Sequence, residues 1–176
     1  GSAEEFYRER GGEYRNPHEG RVRAALASAL ARAPPLRRAL DLCCGSGEAT
    51  LWLRERFPGC AVDAVDPYTF AAFEARTGRK CERLSFNDIA RGEMDDGREA
   101  YDLVVCSYAL HLCEASMLPM LCFFLSRVTR ALLVLTPHKR PHLREEWGFE
   151  LRREEVVDRT RTRLYRSTHT PAWPSP

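Results

Sequence analysis

Apolar positions along the chain recur in two rhythms. Val22, Ala25, Leu26, Ala29 and Leu30 fall at i, i+3, i+4, i+7 and i+8, with Arg21, Arg23 and Arg32 on other faces, which predicts an amphipathic helix. Ala33-Pro34-Pro35 stops it. Downstream, short apolar runs at 39–42, 61–65, 80–86, 102–106 and 131–135 alternate with helix-length stretches at 48–57, 68–77 and 114–127. Leu103-Val104-Val105 and Leu132-Leu133-Val134-Leu135 are continuous rather than alternating, as strands covered on both faces are. The run at 80–86 is the weakest of the five. Such alternation predicts a doubly wound, mostly parallel α/β sheet with right-handed crossovers. After Pro141, runs at 149–157 and 161–167 are separated by too few residues for a crossover helix, so they form an antiparallel hairpin at one sheet edge. The expected sheet therefore has seven strands.

A length of 176 residues fits a single domain. Within it the pattern marks an N-terminal segment at 3–35, a main unit at 36–168 and a proline-rich tail at 169–176 expected to be flexible. The N-terminal segment mixes charge with Phe6, Tyr7 and Tyr14, and serves either as a lid or as a helix packed on the sheet. Seven cysteines, with no CxxC pair or Cys/His array of zinc spacing, read as free thiols in a reducing compartment and imply no metal. No apolar stretch reaches the ~20 residues of a membrane span, and the N-terminus is too polar for a signal peptide. The expected location is intracellular, in cytoplasm or nucleus, with no membrane partner.

The chemistry concentrates in Leu40-Asp41-Leu42-Cys43-Cys44-Gly45-Ser46-Gly47-Glu48, a strand breaking into a small-residue turn that opens a helix. That turn admits a ligand close to the backbone, with free helix N–H groups for an anionic part of it. Asp66, just before Pro67, closes the next strand 19 residues after Gly47, the spacing of a carboxylate that binds a ribose diol. Asp88 ends the third run. Taken singly, Asp66 is equally a turn residue and Asp88 a helix cap. In a parallel sheet the three carboxylates share one rim.

This stretch resembles the class I S-adenosylmethionine-dependent methyltransferases, whose first motif reads roughly D-x-G-x-G-x-G. Asp41, Gly45 and Gly47 match, and Cys43 replaces the first glycine. A nicotinamide dehydrogenase would want a third glycine where Thr50 stands. The resemblance covers about 36–135 and implies a Rossmann-like sheet with S-adenosyl-L-methionine as cofactor. By it, Asp41 orients the methionine amino group, Asp66 with Pro67 takes the ribose, and Asp88 and Ile89 take the adenine. The run 102–111, which includes Cys106, looks like the family's fourth motif. Tyr14 belongs to a segment that folds over the cofactor in many proteins of this type, where aromatic rings stabilise a sulfonium.

The acceptor is read from fewer residues. No Asn/Asp-Pro-Pro-aromatic tetrapeptide follows the fourth strand and no Pro-Cys marks a pyrimidine-carbon methylator, so DNA is not expected. His111 and His138 are candidate bases, His111 equally a structural histidine, and Tyr108 is a candidate positioning group. The net charge is only +2, and 25 of 27 cations are arginine. Between His138 and His169 nine cations face six acids. That excess slightly favours RNA over a small metabolite as the acceptor of an O- or N-methyltransferase. The alternative is a non-catalytic methyltransferase fold that senses the cofactor or serves as a partner subunit.

Overall fold

The computed structural model describes residues 2–171. Its helices are α1 (Ala3–Arg10), α2 (Glu19–Ala29), α3 (Glu48–Arg56), α4 (Phe70–Thr77), α5 (Phe86–Ala90) and α6 (Leu118–Val128). Strands β1 (Arg38–Leu42), β2 (Ala61–Val65), β3 (Leu103–Ser107), β4 (Ala131–Thr136), β5 (Phe149–Val157) and β6 (Thr160–Ser167) form one sheet in the order β2-β1-β3-β4-β6-β5. The first four are parallel, and β6 lies antiparallel beside β4 with β5 at the edge.

Period-two side-chain alternation divides the apolar strands between two cores. Ala39, Leu103, Val105, Leu133 and Leu135 meet α2 and α3 on one face. Leu40, Val104, Cys106, Leu132 and Val134 meet α5 and α6 on the other. Leu118, Leu121, Cys122 and Leu125 carry the buried stripe of α6. Each fully buried leucine contributes about 1.5–3 kcal/mol.

One sequence expectation, the strand count, is corrected. The sheet has six strands, because the run at 80–86 contributes a single bridge between Val65 and Glu82. Its two backbone hydrogen bonds, Glu82 to Ala64 and Asp66 to Glu82, are both 2.9 Å. Lys80, Glu82 and Arg83 leave this run no continuous apolar face, and Ser85 then caps α5, which ends the extended chain. The tail is held through Thr170, whose Oγ1 donates to the Ser126 carbonyl at 2.7 Å while Ser126 Oγ lies 2.7 Å from His169 Nδ1. Residues 172–176, the remainder of the expected flexible tail, lie outside the described residues.

The basic residues after His138 are mostly paired. Of the nine cations after His138, Arg144, Arg152, Arg153, Arg161, Arg163 and Arg166 are ion-paired to Glu146, Glu150, Glu154 or Glu155. Three of these arginines, Arg161, Arg163 and Arg166, pair across the β5–β6 ladder and the other three pair locally, so the six do not make a free cationic track. Asp158 and Arg159, at φ 45° and 62°, make the two-residue left-handed turn between the strands. All seven cysteines are free. Among the described residues no helix is long and apolar enough to cross a membrane.

Candidate active site

At the carboxyl end of β1 the chain turns through Cys43 (φ 55°), Gly45 (φ 57°) and Gly47 (φ 92°) into α3. The turn borders a cavity of about 470 Å³, within the range of small-molecule sites. Cys43, Gly45, Asp66 and Pro67 line it from the strand ends, and Ser85, Phe86 and Asn87 from the start of α5. Leu112, Cys113 and Met117 supply an apolar wall. Helix α1 lies over the opening, with Glu4 and Tyr7 on the wall, and Tyr14 follows it. The Tyr7 and Tyr14 rings meet edge to face at 5.4 Å. Burial, with Tyr7 and Glu48 adding, holds the Tyr14 phenol far above the ordinary tyrosine range, so it stays neutral.

Asp66 is almost fully committed to the backbone. Its Oδ1 accepts from the amides of Tyr68 (2.8 Å) and Thr69 (2.9 Å), fixing the entry to α4. Oδ2 accepts from the Gly45 amide at 3.3 Å and keeps a lone pair for the cavity. Asp41 is fully buried behind the wall rather than on it. Its Oδ2 accepts from the Thr50 amide (3.1 Å) and hydroxyl (2.7 Å), while Oδ1 is buried without a partner. Burial pushes Asp41 well above the usual carboxylate range, Glu48 and Asp66 push it further, and the Thr50 hydrogen bonds oppose them.

Several expected cofactor residues stand elsewhere. Asp88 does not line the cavity: its Oδ2 accepts from the Ser85 amide at 2.9 Å and its Oδ1 pairs with Arg91 at 2.7 Å. The Ser85 hydrogen bonds, with Arg91 adding, hold Asp88 below its ordinary range. Ile89 is fully buried in the core. Phe86 and Asn87 occupy the wall instead, because the capping box turns Asp88 back on its own helix. Cys106 lies in the core with its thiol against that of Cys43. Gly47 serves packing: a Cβ there would sit 2.6 Å from Thr77 Cγ2. Glu48 was missed, since an acid at a helix start ordinarily answers the helix dipole. It is 2% exposed, lines the cavity, and accepts from Asn16 Nδ2 (2.9 Å) and the Ser46 hydroxyl (3.2 Å).

A second cleft, about 670 Å³, opens beside the first and shares Tyr7, Tyr14 and Tyr108 with it. His18, His111 and His138 line it. Tyr108 holds a left-handed backbone (φ 56°), a conformation costly for a bulky residue and common at functional sites. Its ring stacks on His18 at 5.0 Å, and its hydroxyl is 2.6 Å from that of Thr160 at the start of β6. The hydroxyl is thereby engaged, and the ring acts as a partition. His111 and His138 meet at 4.6 Å between ring centres. His111 is half-buried with Nδ1 unpartnered. Burial and then the His138 charge lower its pKa, so the imidazole is neutral at neutral pH.

Residues 40–133, over half of the chain, match the methyltransferase domain family model. The chain belongs to that family. Its cofactor is S-adenosylmethionine. An uncharacterized protein of Schizosaccharomyces pombe is 34% identical over 188 residues, covering 82% of this chain and 75% of its own length. The fold is shared with an O-methyltransferase family protein from Burkholderia thailandensis at TM-score 0.65 and 16% identity, over 93% of this chain and 59% of that one. It is also shared with the N-methyltransferase NodS from Bradyrhizobium japonicum, solved with S-adenosylhomocysteine, at TM-score 0.63 and 13% identity, over 87% and 89%. The methyltransferase domain here thus spans less than two thirds of the first of these structures.

The residues present fit a cationic cofactor. The described lining of the first cavity includes Glu4, Glu48, Asp66 and Glu114 and no lysine or arginine, and the unpartnered Asp41 oxygen lies behind it. Asp66 would hold a diol of the cofactor and Glu48 its ammonium.

Proposed function

We propose that this chain transfers the methyl group of S-adenosylmethionine to an oxygen or nitrogen of a small molecule seated in the second cleft. The observation that carries this reading is the cleft itself, which adjoins the cofactor cavity through Tyr7, Tyr14 and Tyr108 and holds a neutral, half-buried His111. The cofactor supplies an electrophilic methyl carbon on a sulfonium. Tyr108 and Tyr14 set the line of approach between the compartments and exclude water, the alignment on which such a displacement chiefly depends. His111 takes the proton that the acceptor oxygen or nitrogen loses as it bonds to the methyl carbon, with the electron pair of the broken bond remaining on sulfur.

The small molecule is favoured over RNA because most of the hairpin arginines that suggested RNA are ion-paired to neighbouring carboxylates. The test is transfer of labelled methyl from S-adenosylmethionine to fractionated cell metabolites, RNA and protein. Label in the metabolite fraction, lost in His111→Gln, is expected. Label in RNA would move the acceptor to RNA. Intact cofactor binding with no label anywhere would leave the sensor or partner-subunit reading.

A further inference from the structure

Charge is partitioned between the two compartments. The cofactor cavity carries acids without lysine or arginine among its described lining, as noted above. The second cleft has the opposite balance. Arg10 and Arg15 line it with His18, His111 and His138, against Glu13 as the acid among its described lining. Neither arginine makes an ion pair among the described residues, although Glu13 is near both in sequence. Arg10 ends α1 and Arg15 follows Tyr14; both are exposed and so stand at the mouth, while His111 is half-buried. Phe6, Tyr14 and the stacked His18–Tyr108 pair add flat apolar walls.

We infer that the acceptor is a small aromatic acid whose carboxylate or phosphate is held by Arg10 and Arg15. This rests on the second cleft being the acceptor site and names the class of molecule it takes. Guanidinium groups bind such oxyanions through paired N–H donors, a geometry lysine lacks. The two handles differ little to a fork of N–H donors, so carboxylate and phosphate are separated by experiment. With its anion at the mouth, a ring between Tyr14 and Tyr108 carries its own O–H or N–H inward toward His111. The reversal of sign across Tyr108 also separates the ligands: the cation is favoured on one side and the anion on the other.

The test uses 4-hydroxybenzoate, 4-hydroxyphenyl phosphate and uncharged 4-hydroxybenzamide, titrated calorimetrically into the full chain saturated with S-adenosylhomocysteine. At least one acid should bind tenfold or more tighter than the amide, and the stronger acid identifies the handle. In the double variant Arg10→Gln, Arg15→Gln that preference should vanish while S-adenosylhomocysteine affinity is unchanged. Equal binding of acid and amide, survival of the preference in the variant, or no binding of either acid at millimolar concentration would overturn the inference. So would tighter binding of a single-stranded RNA oligonucleotide than of both acids. Methyl transfer is read separately, in parallel samples where labelled S-adenosylmethionine replaces S-adenosylhomocysteine. Anion preference without transfer would remove the catalytic reading alone, and transfer to amide and acids alike would remove the anionic handle alone.

Discussion

Gly45 and Gly47 stand two residues apart in one turn, yet a methyl group added to each should damage different properties. At Gly47, with φ 92°, an alanine Cβ would lie 2.6 Å from Thr77 Cγ2 and 3.1 Å from Phe73 Cδ2, both packed atoms of α4. Left-handed backbone costs a non-glycine residue ~1–2 kcal/mol and an extra methyl in a packed interior ~1–3 kcal/mol, giving about 2–5 kcal/mol for Gly47→Ala. In a chain of this length each kcal/mol moves Tm by about 2–4 °C, so the loss should be about 4–20 °C. At Gly45, with φ 57°, the Cβ would lie 2.9 Å from Tyr14 Cε1 and 3.2 Å from Glu48 Oε1, both on the cavity wall. The Tyr14 ring can swing into the cavity, so the backbone cost dominates and Tm should fall by only about 2–8 °C. The methyl and the displaced ring then occupy cofactor space, and affinity for S-adenosylhomocysteine should fall at least tenfold, or about 1.4 kcal/mol. Thermal unfolding and calorimetric titration of both variants measure the two effects. If Gly47→Ala kept its Tm while losing more cofactor affinity than Gly45→Ala, the division of roles would be refuted.

His111→Gln should lower kcat by about 10²–10⁴-fold with cofactor affinity unchanged, measured by labelled-methyl transfer and titration. Because the base must be neutral and burial lowers its pKa from 6.5, activity should fall as pH drops through a midpoint below 6.5, and the variant should lose this limb. Asp88→Ala removes the acid of a capping box and should cost ~0.5–2 kcal/mol of stability by denaturant unfolding. Its affinity for the cofactor should stay within threefold of the parent, and a loss beyond tenfold would show the carboxylate reaching adenine. Thr160→Val leaves the Tyr108 hydroxyl without its partner and should raise the acceptor KM more than it lowers kcat in the transfer assay.

The central strands were legible because their residues are buried on both faces. Leu103-Val104-Val105 and Leu132–Leu135 leave no polar side for solvent, and their shortness with β-branched valines fits strands covered on both faces. The run at 80–86 misled because Leu84 and Phe86 gave it apolar weight. Its charges fall where a strand beyond β2 would have needed a buried face. Asp66 was legible by its place after a strand. Asp88 occupies an equivalent place in the pattern but was turned away by Ser85; the Ser85-x-x-Asp88 spacing of a capping box was the competing signal.

What the sequence by itself determined was the order of elements, the glycine turn, the family and its cofactor, because each rests on local pattern and chain connectivity. Which carboxylates face the cavity, and the joining of Arg10, Arg15, His18, His111 and His138 around one cleft, were decided only in three dimensions. Those residues come from the N-terminal segment and from the ends of β3 and β4, more than a hundred positions apart at the extremes. Charge bears on function through distance in space. The +2 of the whole chain conceals an acidic compartment and a basic one that meet at Tyr108.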